Sequence, residues 1–420
     1  MSRSVFALLF FSSLALAQTP KDVRAVARQG QNAVPTVGQY LNSASVDTRV
    51  EAVKQLIVLG GKDTIDPLIR GTHDADPEIQ IRATDGLVNY YLPGYVRTGL
   101  GSSVIRAGAS IKAKLNDSND QIIDPWVIVR PDVITALGQL ARGGSDMTSR
   151  ANACRAAGIL RGRAAIPDLV EALRSKDNNV MYESLAAIGK IRDPAAGPQI
   201  VYLLRDLDDR VQSTAIETVG ILRTTEALPS LRSIIGSPRN SKAERAAMAA
   251  LAMMPEPADH DLLVRELGAK DDKLRADAAE GLGRLGSPAD VPLVEKTWHE
   301  EEKMLPRLAS AFALVMDGHL ELSEESPFRY LINTLNQASY KDVAYAYLME
   351  AARRKPVLDA LYGPLEQGTR DEKILLARVL AASGDQASVP YLDKISRDTD
   401  KDVAQEGLRT LRSLKARLNI

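Results

Sequence analysis

The chain predicts an all-α fold, an α-solenoid built from stacked helical pairs, and three observations carry that prediction. Prolines placed to open a helix recur at Pro35, Pro67, Pro131, Pro167, Pro198, Pro229, Pro292, Pro327 and Pro390, at spacings near 31 residues or near twice that. Between consecutive prolines lies a second start signal of the form Asp-x-x-Val, as in Asp208-Asp209-Arg210-Val211 and Asp400-Lys401-Asp402-Val403. Aromatics make up only 5% of a chain that is 45% hydrophobic, so the apolar surface is mostly Ala, Leu, Val and Ile. That mixture suits many thin helix–helix contacts better than one thick core. A two-helix unit of this size cannot bury its apolar faces alone, so neighbouring units must stack.

The opening residues, MSRSVFALLFFSSLALAQTP, place Arg3 before an apolar run from Val5 to Leu16 that ends in Ala15-Leu16-Ala17. This is the pattern of a secretory signal peptide over residues 1–17, cut before Gln18. The run is short for a membrane span of about 20 residues, so stable membrane insertion is not expected. No Cys lies near the cleavage site, so a lipid-anchored form is not expected. Residues 18–34 then form an N-terminal segment or cap.

Helical repeats are expected over residues 35–93 and 131–420, about eleven units in all. One unit reads clearly in residues 167–193, PDLVEALRSKDNNVMYESLAAIGKIRD. Pro167 sits in the first turn of a helix, where its missing N–H costs nothing. Leu169, Val170 and Leu173 form that helix's apolar stripe. Asp177 is the expected N-cap of a second helix, whose stripe runs through Val180, Leu185 and Ile188.

Residues 94–130 break the pattern. Gly94, Gly99, Gly101 and Gly108 discourage a regular helix. In IKAKLNDSNDQIIDPWVIV (111–129), Ile111, Ala113 and Leu115 alternate with polar residues, a polar turn follows, and a second β-branched run ends at Val129. The expectation is one β-hairpin insertion, with Pro125 confining its second strand to an edge or a bulge. A smaller break, Gly318–Ser326, reads as a longer loop.

Composition limits the function classes. Formal charge is −1, from 53 basic and 54 acidic residues, so no global field draws the chain to nucleic acid. Gly281-Leu282-Gly283-Arg284-Leu285-Gly286 has the letters of a dinucleotide fingerprint. It closes a helix instead of opening one after a strand, so no nucleotide cofactor follows. The four histidines, His73, His260, His299 and His319, show no metal-ligand spacing, and neither metal nor cofactor is expected. Cys154, the single cysteine, reads as core filler.

Two clusters beside the insertion are the candidate binding residues. Tyr90, Tyr91, Tyr95 and Trp126 supply aromatic surface with polar handles, suited to recognition or to stapling the insertion onto its neighbours. Arg150, Arg155, Arg161 and Arg163 lie in a stretch without acidic residues, and they suit an anionic partner surface or carboxylate, or pairing with neighbouring acids.

The Pro–Leu opening, the Asp-x-x-Val hinge and the ending Ala279-Glu280-Gly281-Leu282-Gly283-Arg284-Leu285-Gly286 resemble the short HEAT-like repeats of the phycobilisome-lyase type, over roughly residues 35–418. The resemblance implies a right-handed superhelix whose second helices line the inner face. It also raises a lyase activity. HEAT-like deoxyhypusine hydroxylases hold iron with several His-Glu pairs, whereas this chain has the one pair His299-Glu300. HEAT-like DNA glycosylases need a basic groove, which the near-neutral charge does not provide. The sequence therefore points to an exported, periplasmic or extracellular, non-catalytic scaffold that binds a protein or peptide through its concave surface and the insertion. A lyase-like enzyme and a self-associating envelope protein are the alternatives.

Overall fold

The computed structural model describes residues 19–96, 121–124 and 126–420, and their regular structure is entirely helical. They divide into two compact units. One comprises the described residues up to Ile123 together with Val129–Ile191, the other Asp124–Ile128 together with Arg192–Ile420.

Within each unit the element is a pair of antiparallel helices whose grammar can be read from its caps. In several pairs the first helix is short and follows a single 3-10 turn. Arg163–Ala165 leads into Ile166–Ala172, Thr225–Ala227 into Leu228–Gly236, and Pro288–Asp290 into Val291–Glu300. Pro167, Pro229 and Pro292 each occupy the second position of these helices, where no intrahelical partner is lost. The second helix is longer in these pairs, and in several repeats it opens on an acidic N-cap. Asp177 accepts from the backbone N–H of Asn179 and Val180, both at 3.0 Å. Asp208 and Asp400 do the same for the helices Asp209–Leu222 and Lys401–Leu418. Gly286, at φ 62°, ends Asp272–Leu285 in the left-handed region, so the glycine-rich motif is a helix terminus as expected.

The core is a series of thin seams between successive second helices. The tightest points are glycines set against alanines. A Cβ on Gly158 would lie 2.7 Å from Ala187 Cα, on Gly220 2.9 Å from Ala250 Cα, and on Gly283 2.5 Å from Ala313 Cα. The helices approach this closely because the side chain is missing.

Two expectations are corrected. Pro198 does not open an α-helix: it lies inside the 3-10 helix Pro194–Gln199, followed by a second 3-10 segment, Val201–Arg205. Pro194, Gly197 and Pro198 crowd two prolines and a glycine into one turn, which removes donors that an α-helix requires. The β-hairpin is not found among the described residues. Its second run, Trp126–Val129, contains no strand; Val127 N–H donates to Asp124 O at 3.0 Å in a turn, and Ile123 N–H donates to Ile159 O at the end of a helix. β-Branched composition encourages a strand only where a partner strand is present. The first run and the polar turn, like residues 1–17, lie outside the described residues. The break at Gly318–Ser326 is a loop, with Gly318 at φ 101°.

Candidate functional site

A hollow lies between two adjacent helical pairs of the first unit. Pro131–Gly143 packs with Met147–Ile159 in one pair, and Ile166–Ala172 with Asn178–Ile191 in the next. The hinge of the first pair and the short helix and hinge of the second enclose about 700 Å³. Four cationic side chains line it, Arg142, Arg150, Arg174 and Lys176, against two carboxylates, Asp168 and Glu171. Arg142 pairs with Asp168 at 3.3 Å and Arg174 with Glu171 at 3.0 Å. Arg150 donates through Nε to Ala141 O at 3.0 Å, and one of its terminal nitrogens lies 3.5 Å from Met147 Sδ. Neither Arg150 nor Lys176 has a carboxylate within ion-pair distance among the described residues. The hollow therefore carries an excess of two positive charges with an apolar methionine at its edge.

Of the sequence-predicted arginines, Arg150 lines this hollow. Arg155 is engaged elsewhere. It grips Glu183 through two nitrogens, and the Glu183 side chain is 3% exposed, so the pair is a buried clamp between second helices. Arg161 ends its helix at φ 49°, in the left-handed position that Gly286 takes in another repeat. Arg163 begins the following 3-10 turn.

The aromatic cluster is divided in the same way. Tyr90 and Tyr91 meet edge to face at 4.8 Å, and the Tyr91 hydroxyl accepts the Arg130 N–H at 3.2 Å. Tyr95 turns toward Arg155, and burial pushes its hydroxyl above the ordinary tyrosine range. Trp126 belongs to the second unit, where the Arg409 guanidinium lies 5.5 Å from its ring and also binds Asp124. Tyr91, Tyr95 and Trp126 thus have partners within the chain, whereas Tyr90 is 36% exposed. The residues sequence reasoning missed are Arg142, Arg174 and Lys176. Their signal was Ser175, which stands where Asp74, Glu301 and Asp398 stand ahead of other second helices.

Elsewhere, His260 binds Asp290 at 2.9 Å and His319 faces Glu295 at 3.4 Å. No group of three His, Cys, Asp or Glu side chains that could hold a metal occurs among the described residues. Cys154 is fully buried, and desolvation pushes its thiol up to about 12. At pH 8 the native protein is expected to react with a thiol reagent only at its opening rate, and completely once denatured. Rapid labelling of the native state would contradict the burial.

Family comparison finds HEAT repeats at residues 134–206 and 185–252, a region that contains the hollow. The HEAT-like reading of the repeats holds. No curated protein matches the chain. Among solved structures, the phycocyanin lyase complex of CpcE and CpcF from Nostoc sp. PCC7120 is 19% identical, covering 65% of this chain and 94% of that one at a TM-score of 0.38. Human deoxyhypusine hydroxylase is 17% identical, covering 68% and 97% at 0.28. YibA from Escherichia coli is 15% identical, covering 71% and 95% at 0.41. At these values none of them carries an activity or a ligand over to this chain. No helix among the described residues is long and apolar enough to cross a membrane.

Proposed function

We propose that this HEAT-repeat chain is an exported, non-catalytic scaffold that holds a protein or peptide partner in the cell envelope. The observation that supports it most is the use made of polar side chains. The arginines, tyrosines and acids that could have built a reactive centre are largely committed to clamps between repeats, such as Arg155–Glu183, while one cationic hollow stays open on a surface of stacked helices. Stacked repeats present extended surfaces suited to protein binding. The pattern of residues 1–17 supports export.

Affinity capture and crosslinking from native cell envelopes, using the chain from Gln18, test the reading. One stoichiometric partner is expected, together with an N-terminus at Gln18 in the exported protein. A purified chain that retains a chromophore or a metal and captures no partner would replace the scaffold with the lyase-like alternative. Light scattering that rises with concentration, again without a partner, would replace it with self-association.

A further inference from the structure

Several repeats contain an internal ion pair with a fixed register. The fourth residue of a second helix is a cation, and it reaches forward to a carboxylate placed two residues before the N-cap of the next second helix. Arg49, fourth in Val46–Leu59, grips Asp74 at 2.7 and 3.0 Å. Arg275, fourth in Asp272–Leu285, grips Glu301 at 2.7 and 3.1 Å. Lys373, fourth in Arg370–Ser383, binds Asp398 at 2.8 Å. Each carboxylate also accepts the N-cap's backbone N–H, from Asp76, Lys303 and Asp400 at 2.9, 2.8 and 2.9 Å respectively. The acid thus does two things: it closes the turn and it neutralises the cation.

Arg150 is the fourth residue of Met147–Ile159 and is likewise tethered to a backbone carbonyl. Its Nε bonds the Ala141 carbonyl, whereas Arg49 and Arg275 turn Nε to their acid and reach the carbonyls of Ser43 and Ala44, and of Ala269 and Lys270, through a terminal nitrogen. The acid position, two residues before the N-cap Asp177, is Ser175. Its hydroxyl accepts the Asp177 N–H at 3.1 Å, so the turn is closed and the charge is gone. Met147 Sδ lies 3.8 Å from the Ser175 hydroxyl and 3.5 Å from the Arg150 guanidinium, which places Ser175 beside the arginine it fails to neutralise. The next residue, Lys176, adds a second cation to the lining of the hollow. Arg307, fourth in Met304–Met316, also lacks an acid, but its guanidinium lies 4.6 Å from the Trp298 ring and 5.1 Å from that of Tyr330, whose faces compensate it. Among the described residues no ring stands against Arg150 in this way.

We infer that the hollow takes its missing carboxylate from outside: an Asp or Glu side chain of the bound peptide occupies, beside Arg150 and Lys176, the place that Asp74, Glu301 and Asp398 fill in their own repeats. A guanidinium already held by a carbonyl is oriented to receive a carboxylate through charge-assisted hydrogen bonds. An opening of about 700 Å³, with Met147 at its edge, leaves room for the residues flanking that acid. The inference deepens the scaffold reading and rests on it.

The test uses the full chain from Gln18 and fluorescein-labelled glycine–serine peptides containing two adjacent glutamates, or two glutamines in their place. The glutamate peptide is expected to bind and the glutamine peptide to bind at least tenfold more weakly. Ser175→Asp restores the internal acid, so it is expected to keep the helical circular dichroism and the unfolding midpoint while weakening the glutamate peptide at least tenfold. Arg150→Gln is expected to weaken it similarly. Equal binding of the two peptides, unchanged binding by Ser175→Asp, or displacement showing that inorganic phosphate binds while the peptide does not, would overturn the assignment. The partner captured from envelopes separates the two levels. Its persistence with Ser175→Asp removes this hollow but keeps the scaffold, whereas its absence with the unsubstituted chain removes the scaffold itself.

Discussion

Replacing Arg284 with Ala is expected to lower the unfolding free energy by about 3–5 kcal/mol, the loss that follows when one member of a buried ionic network is removed. The Arg284 side chain is 8% exposed. It donates to both oxygens of Glu350, at 3.0 and 2.8 Å, to Glu280 at 2.8 Å and to the carbonyl of Ala252 at 2.8 Å. Its guanidinium also lies 5.1 Å from the Phe312 ring, which stacks on Tyr347. Tyr347 in turn donates to Glu280 at 2.5 Å, and Arg223 donates to Glu350 at 2.6 Å. Without Arg284, Glu280 loses its cation and Glu350 keeps only the more exposed Arg223.

The pH dependence gives that prediction a second readout. Burial by itself would raise the Glu350 carboxyl, but hydrogen bonds and charge from Arg284 and Arg223 hold it below the ordinary glutamate range. A carboxyl depressed in the folded state contributes stability above its unfolded pKa, and that contribution is lost as pH falls through the folded value. In Arg284→Ala the depressing partner is gone, so the deficit relative to the unsubstituted protein is largest near neutrality and shrinks on acidification. Denaturant unfolding at pH 7 and pH 4 measures both. A deficit below about 1 kcal/mol at pH 7, in the range of exposed ion pairs, would show that the network contributes little.

The second large effect is steric. Gly283→Leu is expected to destabilise the seam by more than the about 1–3 kcal/mol typical of an overpacked core, because the first added atom meets backbone. Ala313 Cα lies 2.5 Å and Ala313 Cβ 2.7 Å from where a Cβ on Gly283 would stand. Neither can rotate away, so the two helices must separate along their length. Gly363→Ala is the control. It sits in Tyr362–Gln367 with nothing within 4 Å, so alanine should be neutral or stabilise by up to about 1 kcal/mol. Thermal unfolding of both variants decides the matter. Equal midpoints would mean that the seam relaxes without cost.

The repeat grammar was legible because it is local. A proline in the first turn and an aspartate at the N-cap act on backbone groups within one helical turn, so Pro167 and Asp177 announce their helices without reference to any other part of the chain. The signal failed where locality failed. Trp126-Val127-Ile128-Val129 has the composition of a strand, but a strand exists only if another backbone pairs with it, and none of the described residues does. At Pro198, periodicity suggested a helix that the neighbouring Pro194 and Gly197 turn into 3-10 structure.

The candidate site divides along the same line. Sequence alone determined the helical class, the repeat length, the caps and the run of arginines from Arg150 to Arg163 with no acidic residue among them. Only the tertiary structure decided which of those arginines is available. Arg155 is neutralised by Glu183, a residue of the following repeat, whereas the position that would neutralise Arg150 holds Ser175. Charge is written along the chain, but its compensation acts through space, across a seam of about 25–30 residues in sequence and a few ångströms in structure.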